Sequence, residues 1–348
     1  KHTGDSGGFS LSTGNAVGGK AGGFELVIGS GNKGHGGNIE MTSGTTTDEA
    51  SGGNFHIISG YSTQTSSGHM LLETANAGAS GVSGAIQINT GTASAGTTGS
   101  ITLNTGHATG GKGGDMVFSI GTGNTGSGGD MSITAGKTTD KARGGDITLQ
   151  TGFSSKTSSG SFYLTTPNAG AAGVSGSINV QTGISTAGDS GSYTVTTGDA
   201  VGGKAGSMTL KMGTGNVGNG GSFSLDVGDT TGANGDGGSI TVIAGHANDG
   251  GSNDGGSITV TAGSSSGSGN DDDGGSITIN AGEAATGNGG NIDIQTGYSK
   301  STSSGSFSFK TPNAGKSGVS GGFTYSTGDG SKHTGDSGGF SLSTGNAV

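Results

Sequence analysis

The sequence predicts an all-β fold in which a single chain winds into a β-solenoid, a parallel β-helix-like coil with one short strand per rung. Three observations predict it. A glycine-led unit recurs every 15 or 16 residues along the chain. Each unit carries two apolar residues at i and i+2, the spacing that places side chains on one face of a strand. Glycine supplies 85 of 348 residues, which disfavours helices and suits repeated tight turns.

The unit reads Gly-(Gly/Ser)-apolar-polar-apolar-x-x-Gly, and we call its two apolar residues the apolar pair. Spacing widens to between 17 and 19 residues only from Phe223 to Ile277 and from Phe323 to Phe340. The second member follows the first by two residues, as in Leu11, Leu26, Leu103 and Ile279. The first members are Phe9, Phe24, Ile39, Phe55, Met70, Ile86, Ile101, Met116, Met131, Ile147, Phe162, Ile178, Tyr193, Met208, Phe223, Ile240, Ile258, Ile277, Ile292, Phe307, Phe323 and Phe340.

If each unit is one rung, the chain forms about 21 to 22 rungs stacked about 4.8 Å apart. Phe9 is then expected to lie over Phe24, and Phe24 over Ile39. The remaining residues of each unit are mostly Gly, Ala, Ser, Asn and Thr. Such small residues predict a return wall close to the apolar wall, and so a thin two-wall cross-section.

Longer repeats predict one continuous solenoid over residues 1–348. It comprises six-rung blocks at 7–98 and 99–190 and a nine-rung block at 191–337, and residues 332–348 repeat residues 1–17 without a difference. We expect such a chain to continue into a longer polymer. One giant polypeptide and stacked copies both remain compatible with the repeat.

Composition and charge exclude several classes of protein. Hydrophobic residues make up 26% of the chain, and no apolar run approaches the roughly 18 residues that span a bilayer. One arginine and scattered lysines provide no basic stripe for nucleic acid. There is no cysteine, and the seven histidines lack the spacing of a zinc site. No membrane span and no nucleic-acid partner are therefore expected.

Two motifs resemble chemical signatures and are interpreted as turns. Gly4-Asp5-Ser6-Gly7-Gly8 has the letters of a trypsin-like nucleophile loop, but a related phrase at Gly188 occupies the same place in another block. Gly29-x-Gly31-x-x-Gly34 matches a dinucleotide fingerprint but recurs every 92 residues and leads into another apolar pair instead of a helix. No catalytic residue, no cofactor-binding residue and no enzymatic activity are predicted.

Negative charge is concentrated in one part of the chain. Between Met212 and Ser299 there are ten acidic residues and no Lys or Arg, and these ten equal the whole net charge of −10. Carboxylates on flexible loops are ligands that Ca²⁺ accepts, although no standard calcium loop is present. The sequence marks Asp271, Asp272 and Asp273 as candidates for weak Ca²⁺ binding and predicts no other cofactor.

The recurring phrase Gly-Gly-Ser-Ile-Thr-Val/Leu-x-x-Gly, as at Gly255, resembles the Gly/Ser/Thr-rich repeat proteins of microalgae and other aquatic microbial eukaryotes. The resemblance covers the whole chain and implies an extracellular surface, sheath or filament protein.

Two functions follow as expectations. The first is a structural extracellular filament protein whose partner is itself, by end-to-end continuation and lateral bundling. The alternative is a polar surface that binds ice, polysaccharide or mineral through hydroxyl pairs such as Ser100/Thr102, Ser257/Thr259 and Ser276/Thr278.

Overall fold

A computed structural model describes residues 4–232, 235–248, 253–267, 272–330 and 335–345. Within these ranges the chain contains no helix and no strand. The prediction of an all-β solenoid is therefore wrong, and the stacked rungs and the two-wall cross-section fail with it. A parallel β-coil requires an uninterrupted ladder of backbone hydrogen bonds between successive rungs. The described units are instead joined by isolated bonds at their turns.

Extended segments carry the apolar pairs, and bends separate them. The first bends lie at 17–19, 32–34 and 47–50. Gly18 and Gly34 have φ angles of 76° and 75°, in the left-handed region that glycine enters without steric cost. Gly126 and Gly218 have φ angles of 75° and 76° at the positions that correspond to Gly34 in the repeat. The glycine fingerprint is thus a turn, and no described helix follows it.

Serine hydroxyls hold a second kind of bend. Ser62 Oγ accepts hydrogen bonds from the backbone N–H groups of Gln64 at 3.1 Å and Thr65 at 2.9 Å. Ser154 and Ser299 accept from Thr157 and Thr302 in the same way, at 3.0 and 2.9 Å. Short hydroxyl side chains favour such turns because they replace a backbone acceptor locally.

Every turn between consecutive pairs closes at the same two positions. We call the residue two positions after the second apolar residue of a pair the closing residue. We call the glycine two positions before the next pair the closing glycine. In all 21 turns the closing residue lies within van der Waals distance of where a Cβ on the closing glycine would stand. Thr74 with Gly84 and Thr166 with Gly176 are examples, with Cβ-to-Cγ2 distances of 3.3 Å in both. Five closing residues are half-buried, in a chain that is otherwise almost fully exposed: Ser43, Ser59, Ala135, Ala244 and Ala262.

Backbone groups meet directly in many of these closures. The N–H of Gly53 donates to the carbonyl oxygen of Gly44 at 2.9 Å, and Gly145 donates to Gly136 at 2.9 Å. A Cβ on Gly145 would stand 3.2 Å from the nitrogen of Gly136, closer than side chains normally come. In these closures the closing position favours glycine because the two backbones touch there.

Consecutive pairs meet in opposite chain directions. Tyr325 contacts Phe340 while Thr327 contacts Gly338, so the residue number rises on one segment as it falls on the other. Thr311 with Gly321 and Phe309 with Phe323 follow the same order. Parallel stacking would instead place like residues together, as expected for Phe9 over Phe24. The closed turn reverses the chain, which explains why that expectation fails.

Little surface is removed from solvent. The accessible surface is 35113 Å². A folded monomer of 32.7 kDa would expose about 12,000 Å² and a fully extended chain about 47,000 Å². No described residue is buried, so this part of the chain has no hydrophobic core.

The chain divides into two units, Lys1–Ile178 and Asn179–Val348. The first contains the closures at Gly53, Gly68, Gly145 and Gly160, and the second contains those at Gly238, Gly256, Gly275, Gly290 and Gly305. The division falls inside the six-unit block 99–190. No helix in the described ranges is long and apolar enough to cross a membrane.

We expect Gly145→Ala to open its turn, because the added methyl group would press on the backbone of Gly136. Loss of a net contribution of about 1 kcal/mol from the hydrogen bond would speed amide exchange at residue 145 about fivefold. Gly136→Ala is the matched control, since a Cβ there meets no atom within 4 Å. Equal exchange in the two variants, read by NMR, would contradict the closure.

Candidate self-association surface

The apolar pairs are the largest repeated feature that the described chain leaves open to solvent. Ile101 and Leu103 are 53% and 60% exposed, and Ile277 and Ile279 are 55% and 69% exposed. Alternation along an extended segment keeps both members of a pair on one face. Each unit thus presents the same two-residue apolar patch.

Neighbouring patches combine across the closed turns. Leu11 and Phe24 line one shallow cleft of about 400 Å³ together with Ser12 and Thr13. A similar cleft of about 490 Å³ lies between Phe118 and Met131–Ile133. The second residue of one pair and the first of the next therefore form a shared apolar wall that remains open on one side.

Aromatic rings form a separate apolar wall within the second unit. The ring centroids of Phe307 and Phe309 are 4.5 Å apart in an edge-to-face arrangement, and Phe309 and Phe323 are 5.6 Å apart. Tyr325 and Phe340 are 4.6 Å apart. Aromatic pairs at such distances stabilise by about 0.5–1.5 kcal/mol beyond their buried area. All five rings remain more than half exposed.

Two ion pairs lie in the turns of the first unit. Lys112 Nζ is 2.8 Å from Asp115 Oδ1, and Arg143 pairs with Asp146. Their side chains are 64% to 80% exposed. Exposed pairs of this kind contribute little, because solvent screens them and ordering long side chains costs entropy.

Of the three acidic calcium candidates, the structure describes Asp272 and Asp273. Asp271 lies outside the described residues, and the carboxylate of Asp272 lies against Gly267. Asp273 is exposed. In the described ranges no three His, Asp or Glu side chains are grouped as metal ligands. Weak Ca²⁺ binding at Asp271–Asp273 stays a prediction.

The motifs that resemble chemical signatures also lie on solvent-exposed parts of the described chain. Asp5 and Ser6 are exposed. The hydroxyl pairs Ser100/Thr102, Ser257/Thr259 and Ser276/Thr278 lie on exposed segments that form no described sheet.

Sequence reasoning missed the closing residue and the closing glycine, which position every pair. The sequence contained a signal for both residues. The residue two positions before each apolar pair is always glycine, and the residue four positions after the first member of each pair is usually Thr, Ser or Ala. The interpretation of each unit as one rung of a β-solenoid treated these residues only as parts of a glycine-rich turn.

No family model matches the chain, and no curated protein and no solved structure matches it.

We expect Arg143→Met to leave the turn closed by Gly145 unchanged, because a screened surface pair contributes at most about 1 kcal/mol. Amide exchange at Gly145 measures this, with Gly145→Ala as the comparison that presses on the backbone of Gly136. A larger effect from Arg143→Met than from Gly145→Ala would show that charge, not backbone closure, holds the turn.

Proposed function

We propose that this protein is a structural component of an extracellular filament and works by self-association through its apolar pairs. The observation that carries the proposal is the regular array of exposed pairs, repeated about every 15 residues along the described chain. Neither catalysis nor a cofactor is part of the proposed function.

The argument is one of surface chemistry. Soluble monomers rarely expose apolar patches larger than a few hundred Å², and larger ones mark interaction sites. Here the exposed apolar side chains recur in nearly every unit, and the residues that the structure describes form no core that could cover them. Association between copies would remove them from water, and the driving force would grow with the number of matched units.

Composition supports a filament in which chains lie close together. Glycine, serine and threonine flank the pairs and allow close approach of backbones. The sequence contains no Asn-x-Ser/Thr acceptor for bulky N-linked sugars. The extracellular location rests on the resemblance of the recurring Gly-Gly-Ser-Ile-Thr phrase and belongs to the proposal.

The hydroxyl-array alternative has weaker support. Binding of ice or a mineral face by Ser100/Thr102 and its equivalents depends on a flat, rigid sheet that aligns hydroxyls at a fixed spacing. The described segments form no such sheet, so no second function is proposed.

Replacing pair residues should weaken assembly, because serine removes the apolar contact and leaves the backbone unchanged. A variant with Ile86, Ile88, Ile101 and Leu103 changed to Ser is expected to sediment as smaller species than the unmodified chain at the same concentration. The matched control changes four turn residues to Ser: Val82, Val174, Ile184 and Val201, which are 94% to 104% exposed. Sedimentation velocity that shows equal effects for both variants would refute a role for the pairs.

Assembly should also protect the chain from trypsin. Lys141 and Arg143 are exposed in the single chain and should be cut rapidly at low concentration and slowly once copies associate. The stretch between Met212 and Ser299 has no Lys or Arg and provides an internal control that survives in both states. Equal cleavage rates below and above the concentration at which the protein sediments as an assembly would contradict association.

A further inference from the structure

Four of the 21 turns have a large apolar closing residue. In the other 17 turns the closing residue is Thr, Ser or Ala. Ile28, Ile120 and Met212 occupy the same place in successive repeats, 92 residues apart, and Val227 follows in the unit after Met212. An apolar closing residue adds a third apolar side chain to its unit, on the same face as the pair.

Ile28 fills the space between two apolar pairs. Its Cγ2 atom stands 2.7 Å from where a Cβ on Gly37 would lie. Gly37 precedes Ile39 by two residues, so a side chain there would point to the same face as Ile39. Ile28 therefore lies over the glycine on the face that carries the next pair. We call the resulting group of five side chains a wide patch: Phe24, Leu26, Ile28, Ile39 and Met41.

The same wide patch recurs in the next two repeats. Ile120 Cγ2 stands 2.7 Å from the Cβ position of Gly129, and the Cβ of Met212 stands 3.6 Å from that of Gly221. The second wide patch consists of Met116, Phe118, Ile120, Met131 and Ile133. The third consists of Met208, Leu210, Met212, Phe223 and Leu225.

Methionine is concentrated in the wide patches. The chain has six methionines, and five of them belong to a wide patch. The sixth, Met70, is the first member of an ordinary apolar pair. Methionine is unbranched and polarisable, so its side chain adapts to an irregular facing surface and is common at binding sites. The wide patches therefore combine added apolar area with the most adaptable apolar side chain.

The exposed area indicates how many wide patches a stable contact needs. The fifteen side chains are 42% to 70% exposed. A large apolar side chain that is half exposed presents roughly 100 Å² to water, so one wide patch presents on the order of 500 Å². Each partner of a stable interface contributes about 800 Å². One wide patch is too small for such an interface, and two are large enough.

A second copy of the chain is the partner that fits this requirement. Two wide patches lie in the first unit, Lys1–Ile178, and another copy presents the same two at the same separation. No residue of a wide patch is charged, so packing two patches face to face leaves no ion without solvent. An unrelated partner would have to reproduce both the patch and its spacing.

We propose that the wide patches are the contacts at which copies of this chain first associate, each packing on a wide patch of a second copy. The inference rests on the proposed function and locates its strongest contact. Ordinary apolar pairs add to the interface once wide patches are matched.

Pulsed oxidation with hydrogen peroxide tests this contact in the full chain, because formation of methionine sulfoxide follows exposure of the sulfur. In dilute protein all six methionines are at least 42% exposed and should react. Just above the concentration at which sedimentation detects assembly, the five patch methionines should react about fivefold more slowly, and Met70 less than about twofold more slowly. Mass spectrometry of peptides gives the six rates. Met70 is the matched control, because it is 63% exposed in an ordinary pair.

A second test converts the wide patches into ordinary units. Threonine closes most of the other turns, so it should keep these turns closed while it removes the third apolar side chain. The variant carries Ile28→Thr, Ile120→Thr and Met212→Thr. It should raise the concentration needed for assembly about tenfold.

The matched control for this variant removes apolar residues that belong to no wide patch. It carries Val27→Thr, Val117→Thr and Val201→Thr. These residues are 70% to 104% exposed, so general loss of hydrophobicity would act at least as strongly in the control. We expect the control to raise the assembly concentration less than about twofold.

Failure of the inference and failure of the proposed function are separable. If the chain assembles but all six methionines are protected alike, or if the two triple variants shift assembly equally, the wide patches are not the first contact and self-association through the pairs stands. If the patch methionines are protected selectively but assembly stops at a dimer, the contact is supported and the filament function is wrong. If the pure chain sediments as a monomer at every concentration and no methionine is protected, a second copy is not the partner and both are overturned.

Discussion

The described structure depends on one contact, the approach of the closing residue and its neighbours to the glycine that closes each turn. At Gly53 and Gly145 the N–H donates to a carbonyl eight or more residues back, and a side chain there would collide with the facing backbone. This local contact needs no hydrophobic core, which is why it forms although none of the described residues is buried. Backbone hydrogen bonds of this kind close nine of the described turns, and in all 21 turns the closing residue lies next to the closing glycine, which sets the position of each apolar pair relative to the next.

Closure of the turns determines which apolar surface stays exposed to solvent. Because each turn reverses the chain, the second residue of one pair meets the first of the next, as Leu11 meets Phe24 and Tyr325 meets Phe340. The pairs cover one another on one side only, and a solvent-facing apolar wall remains. A chain that is ordered locally but exposes its apolar residues gains most of its burial from association, in the manner of segments that order on binding.

In the proposed self-association, the repeat provides specificity. A surface built from near-identical units is complementary to another copy of itself at the same spacing, whereas an unrelated partner would match only a few units. Charge adds little to recognition: the visible ion pairs, such as Lys112 with Asp115, are local and solvent-screened.

The sequence by itself determined the period, the positions of the apolar pairs, the glycine-rich turns and the duplicated segment, because each is a matter of residue type and spacing. It also showed that Gly31 and Gly34 belong to a turn. Only the tertiary structure decided how consecutive units meet. Alternation of apolar and polar residues fixes which face a side chain occupies, but it is the same for parallel and antiparallel neighbours and does not require a hydrogen-bonded ladder at all. The approach of Thr13 to Gly22, and of its equivalents in every later turn, reverses the chain, and the parallel coil predicted from the period is excluded for that reason.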